Sequence, residues 1–412
     1  MRPVTPRGFR DVLFQEAAER RTVARAMGDV FERWGYRFVE TPALEEYRTL
    51  AAAAGASLEG TAFRMVDLDG SLLALRPEMT LPIARLAASR LTGEPVPHRL
   101  CYVADVFREQ ASLRGEARQF TQVGVELLGV NGPQSDAEAV AVLVDALEAT
   151  GLPEFTVGVG TVAVLRALLE AAGGDAAWQA AVLAAAHDRN LVTLDRLTGA
   201  DGVDPRVGDA LRRVVRIGGG REAIAACREV AGAVGCADAL DALERTWELL
   251  EASGVARRVR VDFGILRSFD YYTGLIVESY APGLGLPLGG GGRYDDVLAA
   301  FDAPMPAAGF ALSLERVMIA LTEQGVTVPT ETLDVVVGGV DAIGVARACA
   351  GLRARGLRVL GASACDAAGI AAEAASAGAS RAVIVEGATL TTLDAGGMPT
   401  GVFDPEEVAG RG

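Results

Sequence analysis

Residues 107–129 read FREQASLRGEARQFTQVGVELLG. Arg108, Arg114, Glu116 and Arg118 gather around a single glycine, Gly115. Gln122 and Glu126 then stand four apart on an alternating, strand-like run, so both face the same side. This layout predicts an anion-binding loop followed by a polar pocket wall. Glu116 is the odd member, an acid set in the middle of positive charge.

Working outward, Leu100–Phe107 and Gln119–Leu128 read as the strands flanking the loop. Upstream, Val23, Met27, Val30, Phe31 and Trp34 recur at helical spacing and predict an amphipathic helix over 15–34, ended by Gly35. YRFVETP follows as a strand, FRMVDLDGSLLAL as a hairpin around Asp69-Gly70, and MTLPIARLAASRL as a short helix. Downstream, Ser135-x-x-Glu138 has the spacing of a capping box. Residues 161–253 are rich in Ala, Leu and Arg and predict a helical insertion, with Gly218-Gly219-Gly220 as an interhelical turn. Strand character returns at Val259–Phe263 and continues through LGGGGRYDDVLAAF and GFALSLER. The four glycines at 289–292 would let the backbone pass close to another strand or a ligand. EQGVTVPTET, 323–332, reads as a linker, and 333–412 alternates β-α-β-α-β, which predicts a small α/β domain with a mostly parallel sheet. The large part, 1–322, mixes hairpins with helices and predicts an α+β fold on an antiparallel sheet.

Composition narrows the chemistry. The charge is −15, and every one of the 39 basic residues is Arg. The lysine-dependent phosphate loop and lysine Schiff-base chemistry are therefore absent. An acidic chain repels nucleic acid at long range. Five scattered cysteines make no CxxC pair, so neither a disulfide framework nor a metal site is expected. The two histidines, His98 and His187, read as structural. No apolar run is long enough to span a membrane, and MRPVTPRGFRD has no apolar core of a signal peptide, so the cytoplasm is the expected compartment.

The polar residues inside apolar strands are the candidates for a site: Glu78 after Arg76-Pro77, Arg108, Gln122, Glu126, Arg267, Asp270, Tyr271, Tyr272 and Arg316. Each alone could be a solvated residue or a structural ion pair. Together, acids, an amide, phenols and a guanidinium suit a small zwitterion.

RSFDYYTG, GGRYD, FRE…RQFTQVGVE and GFALSLER, in this order, resemble the signature set of the class II histidyl-tRNA synthetase fold over roughly 6–322. RGFRD and the helix leading to ETP resemble its motif 1 dimer interface. LRPEMTLPIARLAASRL, HRLCYVADVFRE, SDAEAVAVLVDAL and YYTGLIVESYAPGLGLPLGGGGRYD look like one branch, the regulatory subunits of ATP phosphoribosyltransferase. That branch does not charge tRNA and partners a short-form catalytic subunit in the first step of histidine biosynthesis. The resemblance implies a homodimer within a hetero-oligomer, histidine as effector, no cofactor and no nucleic-acid partner. It implies a histidine pocket of Glu78, Gln122, Glu126, Arg267, Tyr271 and Tyr272. In that pocket Glu78 and Glu126 would receive ammonium or imidazole N–H groups, and Arg267 would lie near the carboxylate.

Two departures mark a vestigial ATP site of Arg108, Glu116 and Arg316. Glu116 stands where a second arginine would hold the triphosphate, and Ser313 stands where glycine is usual before Glu315-Arg316. Reversing one charge contact at about 4 Å changes the interaction by several kcal/mol at an effective dielectric near 20. The 333–412 segment lies where the synthetase has its anticodon-binding domain. It carries six Arg against nine Asp plus Glu and is expected to be a remnant used for packing or partner contact. The other readings are an active histidyl-tRNA synthetase and a free-standing amino-acid-binding module.

Overall fold

The computed structural model of the chain describes residues 4–54, 60–109, 117–265 and 272–405. It divides into a unit of Met1–Val328 and a unit of Pro329–Gly412.

The first unit opens with α1 (Phe14–Arg33), which buries Val23, Met27, Val30 and Phe31 along one face. The strand expected after it is shorter, β1 (Arg37–Phe38). β2 (Leu44–Glu46), α2 (Tyr47–Ala54), β3 (Arg64–Val66) and β4 (Leu72–Leu75) follow, then α3 (Thr80–Arg90). β3 and β4 form the expected hairpin, with Met65 opposite Leu73 and Gly70 at φ 88° in its turn.

β5 (His98–Phe107) and β6 (Gln119–Leu128) are the long antiparallel pair of the molecule. α4 (Pro133–Ala149) covers the sheet. β7 (Thr156–Thr161) leads into α5 (Val162–Ala172), α6 (Ala176–His187), α7 (Leu191–Thr198), α8 (Pro205–Val214), β8 (Gly218–Gly219), α9 (Arg221–Gly232) and α10 (Asp241–Ala252). β9 (Val259–Asp262), β10 (Leu275–Tyr280), β11 (Gly289–Arg293), β12 (Ala307–Ser313) and α11 (Leu314–Glu323) complete the unit. Nine strands make one sheet, in the order β1-β5-β6-β12-β11-β10-β7-β9-β8. Only β1/β5 and β7/β9 pair parallel; the other neighbours are antiparallel.

Two local expectations are corrected. Gly218 and Gly219 are not a turn; they pair with Asp262 and Val261 at the sheet edge. The Ser135/Glu138 spacing is not a capping box. Helix α4 starts at Pro133 with Gly132 as its cap, and Ser135 Oγ donates 2.9 Å back to Gly132 O. Glu138 instead accepts from Arg99 Nε at 2.7 Å and from the Tyr36 hydroxyl at 3.0 Å.

The second unit contains β13 (Val335–Gly338), α12 (Ala342–Ala354), β14 (Val359–Gly361), α13 (Ala367–Ser376), β15 (Arg381–Glu386), β16 (Thr389–Leu393) and β17 (Pro399–Val402). The order is β14-β13-β15-β16-β17. β13 pairs parallel with β14 and β15, but β16 and β17 add antiparallel pairings, so the sheet is half parallel. The extra strands rest on a turn at Gly387, φ 59°, which folds the chain straight back from β15 into β16. Alternate residues of β13 serve two cores: Val335 and Val337 pack with Leu352 and Val383, Val336 with Ile370 and Ala374.

Candidate functional site

The central strands carry a small cavity lined by Glu78, Thr80, Arg108, Gln122, Tyr272 and Tyr294, with Gly290, Gly291 and the backbone of Gly309–Ala311 among its walls. The sheet register explains this convergence. β6 lies opposite β12, with Glu126 across from Gly309 and Gln122 across from Ser313. β11 lies on the far side of β12, with Gly291 opposite Phe310. The backbones pass so closely that a Cβ on Gly291 would fall 2.0 Å from Gly309 O. A side chain at Gly291 would collide with the neighbouring strand.

Glu78 sits in the turn ahead of α3. Its carboxylate accepts from the backbone N–H groups of Thr80 at 2.6 Å and Leu81 at 2.8 Å. Burial pushes this carboxyl up, while those N–H groups and the Arg108 guanidinium pull it back. Gln122 is buried, and its Oε1 has no hydrogen-bond partner among the described residues. An orphan acceptor in a cavity wall suits a ligand that brings an N–H. Tyr272 is buried in the opposite wall, and its carbonyl accepts from Arg166 at 2.8 Å.

Glu126 lies next to these residues on β6. It is 1 % exposed and does not line the cavity. Its carboxyl is taken by three hydroxyls, Thr80 Oγ1 at 2.9 Å, Tyr102 at 3.3 Å and Tyr294. Burial pushes it up to about 8, with the hydroxyls opposing and Glu78 adding to the rise. Glu78 and Gln122 thus present their oxygens to the cavity, and Glu126 is bonded to two of the residues that line it, Thr80 and Tyr294. Sequence reading missed those two. Tyr294 was legible in GGRYD, and Thr80 stands two residues after Glu78.

Of the arginines, Arg108 donates Nε to Pro77 O at 2.8 Å and lies over the Phe120 ring, 5.2 Å from its centre. It reaches the cavity. Arg316 donates to Pro287 O at 2.8 Å and is not among the cavity-lining residues. Arg118, expected in an anion-binding loop, instead lies 4.3 Å over Phe63, pairs with Glu109 and donates to Arg7 O at 3.2 Å. Ser313 is an N-cap: its hydroxyl accepts from Arg316 N at 3.4 Å. Glu116, Arg114, Arg267, Asp270 and Tyr271 lie outside the described residues. No helix among the described residues is long and apolar enough to cross a membrane, and those residues hold no cluster of three or more metal-ligating side chains.

The antiparallel sheet with a small polar cavity at its centre is that of a class II synthetase-like protein, and the histidyl-tRNA synthetase family model matches residues 8–317. An ATP phosphoribosyltransferase regulatory subunit from Moorella thermoacetica is 40% identical over 356 residues, 86% of this chain and 91% of that protein. A solved structure of an ATP phosphoribosyltransferase regulatory subunit/histidyl-tRNA synthetase from Bacillus halodurans superimposes with a TM-score of 0.79 at 30% identity, covering 92% of this chain and 96% of the other. A histidyl-tRNA synthetase from a Nostoc species, 21% identical, has the same fold over both full lengths with a TM-score of 0.82. The chain belongs to the histidyl-tRNA synthetase family, in its branch of ATP phosphoribosyltransferase regulatory subunits.

Proposed function

We propose that this chain joins a short-form ATP phosphoribosyltransferase catalytic subunit and makes the first step of histidine biosynthesis answer to histidine. Catalysis lies in the partner. The observation that carries the sensing role is the cavity with Glu78 and Gln122 in its wall: a carboxyl, and an amide Oε1 with no hydrogen-bond partner among the described residues, both suited to accept from an ammonium or imidazole N–H. Tyr272 would contribute a wall, and Arg267 and Tyr271 would add the carboxylate and side-chain contacts. The core of the assembly is a homodimer through the motif 1-like region around α1. Sedimentation showing only monomer at micromolar concentration would count against it. The acidic unit from Pro329 onward serves packing or partner contact rather than tRNA.

The test is histidine inhibition of the reconstituted complex. Gln122→Ala and Glu78→Gln should leave assembly intact and raise the inhibiting histidine concentration roughly ten- to hundredfold, as expected for a lost charge-assisted or buried hydrogen bond of about 1.5–3 kcal/mol. If both variants assemble and are inhibited as the wild type is, this cavity is not the sensor. Histidine-dependent ATP–pyrophosphate exchange at enzyme-like rates would instead favour a synthetase.

A further inference from the structure

The hairpin of β3 and β4 carries apolar side chains where one chain leaves them in water. Leu68, at its tip, is fully exposed, and Met65 and Val66 before it and Leu72 after it are exposed as well. Asp67 and Asp69 flank the tip. Each spends one oxygen on a turn N–H, of Leu68 and of Ser71, and neither has a cation partner among the described residues. Exposed apolar residues grouped in this way mark a contact surface, and a two-stranded ribbon is marginal alone. From Arg76, where the ribbon leaves the body, the chain to Gly70 reaches ~20 Å when extended.

A surface of opposite chemistry lies in the same unit. A groove of about 710 Å³ runs between α1, residues 39–43 and the outer edge of β5. Past β1, Val39 N–H still reaches Cys101 O at 2.9 Å, and the edge of β5 then opens at Val103, which is exposed. Alternation turns the Val103 backbone the same way as that of Cys101, toward the groove. Arg76 closes the edge again: its Nε donates to Asp105 O at 2.7 Å, and its O accepts from Phe107 N at 2.9 Å. Arg76 is buried, yet its guanidinium donates only to uncharged oxygens, those of Thr41, Pro42 and the Asp105 backbone, and Nη2 has no partner among the described residues. Arg21, exposed on α1, forms no ion pair among the described residues. Asp105 and Glu315 also line the groove, but their oxygens are taken by Gln119, Thr121 and Arg20, and Glu40 is the lining acid left open. We propose, resting on the reading of the core as a homodimer, that each copy lays its β3–β4 tip in the groove of the other. Leu68 takes the apolar lining of Val39, Val103 and Phe120, Asp69 meets Arg21, and Asp67 meets Arg76. The exchange is reciprocal, as an isologous two-fold requires. It covers the open backbone at Val103, gives the buried guanidinium a counter-charge and removes the tip from water.

The experiment uses the full chain. The photoreactive residue p-benzoylphenylalanine is placed at position 68, an equal mixture of isotope-labelled and unlabelled protein is irradiated, and the linked peptides are mapped by mass spectrometry. Links that join a labelled to an unlabelled chain, from position 68 to α1 or to residues 103–107, are expected. Dimer affinity is measured by sedimentation for Leu68→Asp, Arg21→Glu, Asp69→Arg and the last two combined. Leu68→Asp should weaken the dimer about tenfold or more, as loss of an interface anchor does. Leu68 is fully exposed in the single chain, so this variant keeps its fold. Arg21→Glu and Asp69→Arg should each weaken the dimer, and together they should recover most of the loss, which separate structural damage would not do. A dimer that shows no link between tip and groove, or that is untouched by Leu68→Asp, overturns the exchange and leaves the homodimer reading standing. A wild type that sediments only as monomer at micromolar concentration overturns both.

Discussion

Arg293 and Asp136 form the most enclosed ion pair among the described residues, at 2.7 Å, with side chains 6% and 7% exposed. Arg293 ends β11, and Asp136 lies in the first turn of α4. The guanidinium also reaches Asp295 at 3.0 Å and Gly132 O at 3.2 Å. Removing one partner strands a buried charge. Arg293→Ala should therefore cost about 3–5 kcal/mol, read as a lowered urea midpoint. The pair replaced together by apolar residues should cost far less. Glu126 gives a second residue-scale prediction. Its folded carboxyl is held at about 8, above the ordinary 4.5 of the unfolded chain. Its contribution to stability is thus fully present below pH 4.5 and lost as pH rises through 8. Urea unfolding at pH 6 and pH 8 should show this loss, with a slope of at most about 1.4 kcal/mol per pH unit for one group, and Glu126→Gln should remove it.

At the scale of elements, α11 shows how a departure from the family pattern is absorbed. Ser313, where glycine is usual, ends β12 in extended conformation, φ −83° and ψ 116°, and caps the helix with its hydroxyl. Ser313→Ala should cost about 1 kcal/mol, whereas Ser313→Gly should cost only a few tenths, both measured by denaturant unfolding. The residue thus serves helix stability, and the exchange of glycine for serine needs no role in ligand chemistry to explain it. Glycine matters more on the neighbouring strand. Gly309→Ala would push a methyl against the Glu126 carboxyl and Val125 O, 2.0 and 2.3 Å from its Cβ.

For the molecule as a whole, the unit from Pro329 to Gly412 has hydrophobic clusters on both faces of β13. Residues 329–412 expressed alone should unfold in a single cooperative urea transition; a featureless, gradual loss of circular dichroism would show that the unit needs the rest of the chain. The full chain carries −15, and its basic residues are spread through ion pairs such as Arg228 with Glu244 and Arg221 with Glu251. A gel shift with tRNA at physiological salt should find no complex at micromolar protein.

Legibility followed the range of the interactions. The helical period around Val23–Phe31, the alternation through Gln119–Leu128 and the Asp69-Gly70 turn are set by neighbours in sequence, and they determined the class of fold and the shared face of Gln122 and Glu126. Of the residues that the family signatures single out, Glu78, Arg108, Gln122 and Tyr272 line the cavity. Other features depend on distant partners. Ser135 and Glu138 had local capping chemistry but were claimed by Gly132, Arg99 and Tyr36. Gly218-Gly219 became a strand because β9, some forty residues on, offers its edge. Arg118 lies over the rings of Phe63 and Phe9, which are distant in sequence. The carboxyl of Glu126 is held by Thr80, Tyr102 and Tyr294, from three separate segments, partners that its spacing from Gln122 does not report. A buried polar group takes whichever partner the packing brings within reach, and sequence spacing does not report which one that is.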